Sequence, residues 1–314
     1  MITIDSIRAA AKRLDGHVLR TPLRRSEWLS SIAGADVFLK LEVVQPTSSF
    51  KIRGAFNAAL RVKESGRDVR LVTASAGNHG RALAAAAREL GLSLTVFIAE
   101  NAPWSKVDAI KAAGAELRPC RDYDTAEAEA KRYASSGGGF FLSPYSDPDV
   151  IDGAGTIALE LLEDVRDLDV VLVPLGGGGL LSGIGIAMKA LSPATQVVGV
   201  EVAASCPFTR SLAAGHRVTI DVQPSIADGL TGNFDPDTIT LDIIRDVVDR
   251  IVVVEEPAVR DGVRDVVVHE HLIVEGAGAV GVAALTSGKV DVKGRRVAVV
   301  LTGANIDRET LLKP

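Results

Sequence analysis

The chain has 314 residues, 47% apolar and 24% charged, with a formal net charge of −5. That length suits one large domain or two lobes around a cleft, and the composition is that of an ordinary globular protein. Low aromatic content and the absence of a long basic run argue against a nucleic-acid partner, and no signal core or membrane-length apolar run is present, so a cytoplasmic protein is expected.

The patterns alternate between helix and strand. Asp5 is the expected cap of a helix over Ser6–Leu14. Val37–Leu41 reads as a strand, Ala55–Ser65 as a helix and Val69–Thr73 as a strand. Gly80–Leu90 is Ala-rich and strongly helical, closed by Gly91. Leu94–Ile98 and Glu116–Pro119 are strand-like, and Lys106–Ala113 and Thr125–Tyr133 helical. Phe140–Leu142 follows a glycine run, and the glycines Gly137–Gly139 with the stretch Ser143–Asp149 (SPYSDPD) are the best candidate hinge. Beyond it come a helix at Gly155–Glu163, an apolar strand at Asp169–Pro174 and a helix at Leu180–Leu191. Gln196–Glu201 and Val297–Leu301 read as strands, with a helix at Ala258–Glu270. Apolar strands separated by helices imply an α/β protein of two blocks, each a mostly parallel sheet with helices on both faces.

Four motifs carry chemistry. Ser48–Ala55 (SSFKIRGA) sets Lys51 among Phe50, Ile52 and Ala55. A lone lysine is ordinarily a solvated charge, but apolar neighbours favour a neutral amine, which can form a Schiff base and act as a base. Ser75–Gly80 (SAGNHG) lies between a strand and a helix start, where backbone amides gather an anion. A simple capping turn is an equal reading of that motif alone, and His79 alone reads as a structural histidine. Pro174–Gly183 (PLGGGGLLSG) puts four glycines at a strand-to-helix junction, which makes a phosphate cradle. Its rival is a dinucleotide site of a nucleotide-binding oxidoreductase, with Gly177, Gly179 and Gly183 in GxGxxxG spacing and Glu201 as the ribose-binding acid. Leu301–Asp307 (LTGANID) places the Thr302 hydroxyl at a strand end, where closing a turn is an equal reading. The two cysteines, Cys120 and Cys206, form no metal-ligand pattern and read as reduced thiols.

In this order and spacing the four motifs resemble the tryptophan-synthase-β-like (fold-type II) pyridoxal-phosphate enzymes, most closely the branch of threonine and serine dehydratases and serine racemases. Ile226–Leu230 (IADGL) and Val274–Leu285 (VEGAGAVGVAAL) extend the likeness along nearly the whole chain. The resemblance implies a large cofactor-binding domain of residues 1–50 plus 144–314, a small domain of residues 51–143, and the cofactor in the cleft between them. It implies Lys51 as the Schiff-base lysine, Phe50 packing on the ring, and Asn78 bonding the phenolic oxygen. Gly176, Gly177, Gly178, Gly179 and Leu180 would cradle the phosphate, Thr302 would face the pyridine nitrogen, and Gly229 and Glu275 would line the pocket. Ser75, Gly77, Asn78 and His79 would hold the substrate carboxylate. A hydroxyl facing the pyridine nitrogen makes the ring a weaker electron sink, which favours prompt β-elimination. A homodimer is expected on the same ground.

The activity so implied is an ammonia-lyase that converts L-threonine, L-serine or both to a 2-oxo acid and ammonia. Racemases of the branch carry a serine just before the Gly-Asn of GNHG; here Ala76 stands there, and a methyl group cannot move a proton. Dehydration of another β-hydroxy amino acid, 3-hydroxyaspartate or an ectoine-derived one, is the alternative, followed by β-replacement with a second nucleophile. Metal-binding members carry an Asp six residues after the acid matching Glu201; here it is Pro207, so no two-carboxylate site is expected and only a cation on Glu201 and carbonyls stays open. The chain ends soon after LTGAN, so no C-terminal regulatory domain is expected.

Overall fold

The computed structural model describes residues 1–66, 68–100, 102 and 104–312. In chain order it runs α1 (Ile4–Arg13), β1 (Leu23–Arg25), α2 (Glu27–Ala33), β2 (Asp36–Leu41), α3 (Lys51–Glu64), β3 (Leu71–Ala74), α4 (Asn78–Leu90), β4 (Leu94–Ala99), α5 (Trp104–Ala112), β5 (Glu116–Cys120), α6 (Tyr123–Tyr133) and β6 (Phe140–Phe141). It continues with α7 (Pro148–Asp164), β7 (Val170–Pro174), α8 (Gly179–Leu191), β8 (Gln196–Val202), α9 (Pro207–Ala214), α10 (Thr240–Val247), β9 (Arg250–Val254), α11 (Glu256–Asp265), α12 (Gly276–Thr286), β10 (Arg296–Leu301) and α13 (Arg308–Leu312).

Two sheets result. The first has the order β1-β2-β10-β7-β8-β9, with β1 antiparallel and the other pairings parallel. The second, β5-β4-β3-β6, is parallel throughout. Side chains on a strand alternate between faces, and both faces of β7 are covered. Val170 and Leu172 join one core, while Val171 and Val173 join the other. The same division separates Val297, Val299 and Leu301 from Ala298 and Val300 on β10. Each such side chain is worth about 1.5–3 kcal/mol when fully buried, which is why these strands read as unbroken apolar runs. The α/β class and the two mostly parallel sheets are as the sequence led us to expect.

Several elements differ from the sequence reading. The cap of α1 is Thr3, whose hydroxyl accepts from Ser6 N while Ser6 Oγ accepts from Thr3 N; Asp5 lies inside the first turn. Helix α3 begins at Lys51 rather than Ala55. β1, α2, α9, α10, β9 and α12 were not anticipated, and α11 ends at Asp265, followed by a single π-turn over Val266–Glu270. No helix among the described residues is long and apolar enough to cross a membrane.

Helix α7 packs against both sheets. Val150 packs with the second sheet, and Ala154, Ile157 and Leu161 with the first. It crosses α3 at backbone contact: a Cβ at Gly54 would lie 2.6 Å from Val150 O, and one at Gly153 2.5 Å from Arg53 O. That crossing fixes the first turn of α3, and with it Lys51.

Candidate active site

The site gathers at the carboxyl ends of β3, β7 and β10, the edge where open parallel sheets bind ligands. Two segments are zipped together beneath it. Phe50 N donates to Thr302 O (2.9 Å), Ala304 N donates to Ser48 O (2.9 Å), and Ser49 bridges Gly303. Thus SSFK and LTGAN, 250 residues apart in round terms (Phe50 against Thr302), form one wall.

Lys51 opens α3. Its Nζ donates to Pro144 O at 2.7 Å and lies 5.2 Å from the centre of the Phe50 ring. Burial lowers the amine to about 8, against the upward pull of the Glu275 carboxylate. Glu275 in turn accepts from Asn78 Nδ2 (2.7 Å) and from Asn305 N (3.1 Å). Asn305 Nδ2 donates to Asn78 Oδ1 (2.6 Å) and to Thr47 O (3.0 Å), and its Oδ1 accepts from Arg81. Asn305 therefore ties the strand end after β10 to the start of α4 and to the approach to Lys51. A Cβ at Gly303 would lie 2.5 Å from Glu275 Oε1, so a side chain there would push the carboxylate off its partners.

Neither glycine motif is an ordinary capped turn. Helices α4 and α8 have Gly77 and Gly178 at their N-caps, with no side-chain cap hydrogen bond. Their first helical bonds run from Arg81 N to Gly77 O (3.1 Å) and from Ser182 N to Gly178 O (2.8 Å). The amides of Asn78–Gly80 and Gly179–Leu181 thus precede the ladder and point outward at a positive helix end. Gly80 is also required, since a Cβ would meet Ser75 O at 2.0 Å. Gly178 sits at φ +89°, and a Cβ at Gly176 would lie 3.0 Å from Gly229 O and Leu230 Cα, which places the IADGL segment beside the glycine run. Leu180 is buried.

His79 departs from the local reading of a hydrogen-bonded structural histidine. It is buried, and both ring nitrogens have no hydrogen-bond partner among the described residues. Burial, then the nearby Lys51 charge, pushes it down to about 3, so the ring is neutral. Ser75 Oγ faces its own loop, accepting from Gly77 N at 3.3 Å. Thr302 is buried, and its carbonyl, not its hydroxyl, makes the contact to Phe50.

Glu201, which its position suggested as a ribose acid, is instead engaged by the helix that follows it. It is fully buried, and its Oε1 accepts from Phe208 N (2.9 Å) while Oε2 accepts from Thr209 N (2.8 Å) and Thr209 Oγ1 (2.6 Å). It caps α9 from the end of β8. No group of three His, Cys, Asp or Glu suited to a metal occurs among the described residues.

The model of the pyridoxal-phosphate dependent enzyme family matches residues 14–303. The chain belongs to this family. The L-threonine ammonia-lyase of Thermotoga maritima is 39% identical over 308 residues, 98% of this chain and 76% of its own length. The L-threo-3-hydroxyaspartate ammonia-lyase of a Pseudomonas species is 40% identical over 306 residues, 96% of this chain and 94% of its own length. The structure of maize serine racemase aligns with a TM-score of 0.93 at 33% identity, covering 99% of this chain and 95% of that one.

Pyridoxal phosphate is the cofactor of this family, and the residues present fit it. An amine lowered to about 8 suits a Schiff base, and two uncapped helix ends suit the anionic groups of a phosphate and a carboxylate. The buried hydroxyl of Ser182, one turn into α8, has no partner among the described residues, and the same holds for the His79 ring.

Proposed function

We propose that this enzyme is an ammonia-lyase acting on L-threonine, L-serine or both, releasing a 2-oxo acid and ammonia by α,β-elimination. The observation that carries the reading is one proton carrier, the buried Lys51 amine held on Pro144 O, with no second carrier flanking it among the described residues. Ala76 contributes a methyl group, the Ser75 hydroxyl is turned to Gly77, and His79 is held far below neutrality, so the second proton of a racemisation has no donor among them. The relatives named ammonia-lyases support the same conclusion.

Lys51 would carry the cofactor, with Gly176–Gly179 and Leu180 on its phosphate, Phe50 beside the ring and Asn78 on the phenolic oxygen. Thr302 would face the pyridine nitrogen, and Gly229 and Glu275 would line the pocket. The cofactor, when bound, supplies the electron sink for the pair left at the substrate's Cα. The amides of Ser75–His79 orient the carboxylate, and the freed Lys51 amine takes the α-proton. The Cβ–O bond then breaks, so that one proton and the hydroxyl leave as water in the net reaction. The released enamine takes up water to give the 2-oxo acid and ammonia. We also infer two lobes, residues 51–143 against 1–50 plus 144–314, and a cytoplasmic homodimer, on the strength of the family likeness.

The test is 2-oxo acid release from L-threonine, L-serine, D-serine and L-threo-3-hydroxyaspartate. Turnover of L-threonine or L-serine, with D-serine inert, is the expected result; turnover of the dicarboxylate alone would move the assignment to the Pseudomonas relative's activity. Racemisation as fast as elimination, followed by chiral chromatography, would overturn it.

The pH profile follows from Lys51. A proton acceptor has to be neutral, so the elimination rate should rise as pH passes through about 8 and level off above it. Lys51→Arg can neither form the Schiff base nor take the proton, so it should show no turnover at any pH across this range. A rate that falls between pH 7 and 9 would exclude Lys51 as the acceptor.

A further inference from the structure

Two of the four glycines of the phosphate loop, Gly177 and Gly179, are explained by one neighbouring residue as much as by an anion. A Cβ at Gly177 would lie 2.3 Å from Cγ of the Tyr145 ring, and one at Gly179 2.4 Å from Tyr145 O. The Tyr145 ring therefore packs on Gly177, and its backbone carbonyl packs on Gly179. Its neighbour Pro144 supplies the carbonyl that holds Lys51 Nζ, so the segment joining β6 to α7 touches the lysine and the glycine loop in consecutive residues.

The same segment is sewn to the stretch of residues 231–240 that leads into α10. Tyr145 Oη accepts from Asp235 N (2.9 Å), and Ser146 Oγ accepts from Ile239 N (3.1 Å). Thr240 Oγ1 donates to Gly177 O (2.9 Å), which closes the ring of contacts back onto the glycine loop. Asp235 is itself anchored from the second sheet by an ion pair with Lys131 on α6, which also reaches Glu127 at 3.4 Å. Burial, with the nearby carboxylates, pushes the Tyr145 phenol well above its ordinary range, so it stays protonated in any ordinary assay.

We propose that Tyr145 is a positioning residue for the cofactor phosphate: its ring props Gly177, and its hydroxyl ties that prop to the 231–240 stretch. It acts through the loop and does not touch the reacting atoms. The proposal rests on Gly176–Gly179 being the phosphate loop. A lysine tether and a ring pocket are shared by pyridoxal and pyridoxal phosphate, whereas the loop serves the phosphate alone. Loss of the prop should therefore weaken pyridoxal phosphate and spare pyridoxal.

The experiment is titration of the apoenzyme with pyridoxal phosphate and with pyridoxal, read by the visible absorbance of the bound cofactor. The quantity is the ratio of the two dissociation constants. Tyr145→Ala should lower the preference for the phosphorylated form by about tenfold or more, with pyridoxal affinity kept. Tyr145→Phe keeps the ring and loses the hydroxyl, so a loss of about two- to tenfold is expected from one hydrogen bond. An unchanged ratio in Tyr145→Ala overturns the proposal, as does a parallel loss of both ligands. If the alanine variant does not fold, Tyr145→Phe decides on the same terms. Gly178→Ala tests the underlying reading separately, because φ +89° and contacts of 2.8 Å to Ile244 and Thr240 forbid a side chain there. A loss of preference in Gly178→Ala with none in Tyr145→Ala removes only the role of Tyr145. An unchanged ratio in Gly178→Ala removes the phosphate loop itself.

Discussion

Lys51→Ala is expected to lower turnover of L-threonine by about 10³-fold or more, since a positioned general base alone contributes roughly 10²–10⁴-fold and the variant also loses its covalent hold on the cofactor. The loss should fall on kcat. The amides at the start of α4, which we assign to the substrate carboxylate, are not altered by the change. Stability should barely move. The lysine Nζ makes one hydrogen bond, to Pro144 O, worth about 0.5–1.5 kcal/mol, and its removal also relieves a desolvated amine. Circular dichroism and a denaturation curve on the same sample separate a dead site from a lost fold. A folded Lys51→Ala protein that keeps a tenth of wild-type turnover would sink the assignment.

The outline of this site was legible because its parts are local. A glycine run after a β-branched strand, and an apolar lysine before a helix, can each be read within ten residues. The strands β7, β8 and β10 were legible for a similar reason, since burial on both faces leaves an unbroken apolar run. What escaped was whatever depends on a distant partner or lacks a period. Helix α12 (GAGAVGVAALT) is apolar on every face and glycine-rich, so no amphipathic stripe betrays it. Helix α3 opens with Phe50 at its N-cap and no side-chain cap hydrogen bond, so its first turn carried no start signal and was placed four residues late. Glu201 looked like a ribose acid by position, yet the next helix folds back onto it and takes both oxygens. Tyr145 looked like part of a hinge, because the glycines it packs on lie more than thirty residues away in sequence. Asn305 has partners at Thr47, Asn78 and Glu275, none of them within reach of a local pattern.

Arg53 is the largest case of this kind, and it carries the second large expected effect. It stands two residues after Lys51, yet it is only 1% exposed. Its Nε and Nη2 donate to the two oxygens of Glu42 at 2.9 and 2.8 Å, and its Nη1 donates to Glu160 at 2.6 Å. Glu42 is 0% exposed and sits just past β2, and Glu160 lies on α7 and also accepts from the buried Lys40. Burial pushes Glu42 up, but the charge and hydrogen bonds of Arg53, aided by Thr21, outweigh it and hold the carboxyl below its usual range. The guanidinium thus fastens the first turn of α3 to the first sheet and to α7, and it is this turn that presents Lys51. Arg53→Met fills much of the volume but removes the one cation bonded to the fully buried Glu42 and leaves Glu160 with Lys40 alone. Removing one partner of such a group costs about 3–5 kcal/mol, a large share of a domain's total stability. Urea unfolding at pH 7 should show that loss. The pH dependence should change sign as well. In the wild type the lowered Glu42 contributes stability that is present above its unfolded value and is lost as pH falls. In Arg53→Met burial is opposed only by the Thr21 hydroxyl, Gln45 and the Lys40 charge, so the carboxyl moves up past its unfolded value and stability declines as pH rises through that interval. Arg53→Met combined with Glu42→Gln should recover part of the loss and flatten the pH slope. A single variant within about 1 kcal/mol of wild type would show that the buried carboxylates find other partners, and that α3 is held by its glycine crossing with α7 alone.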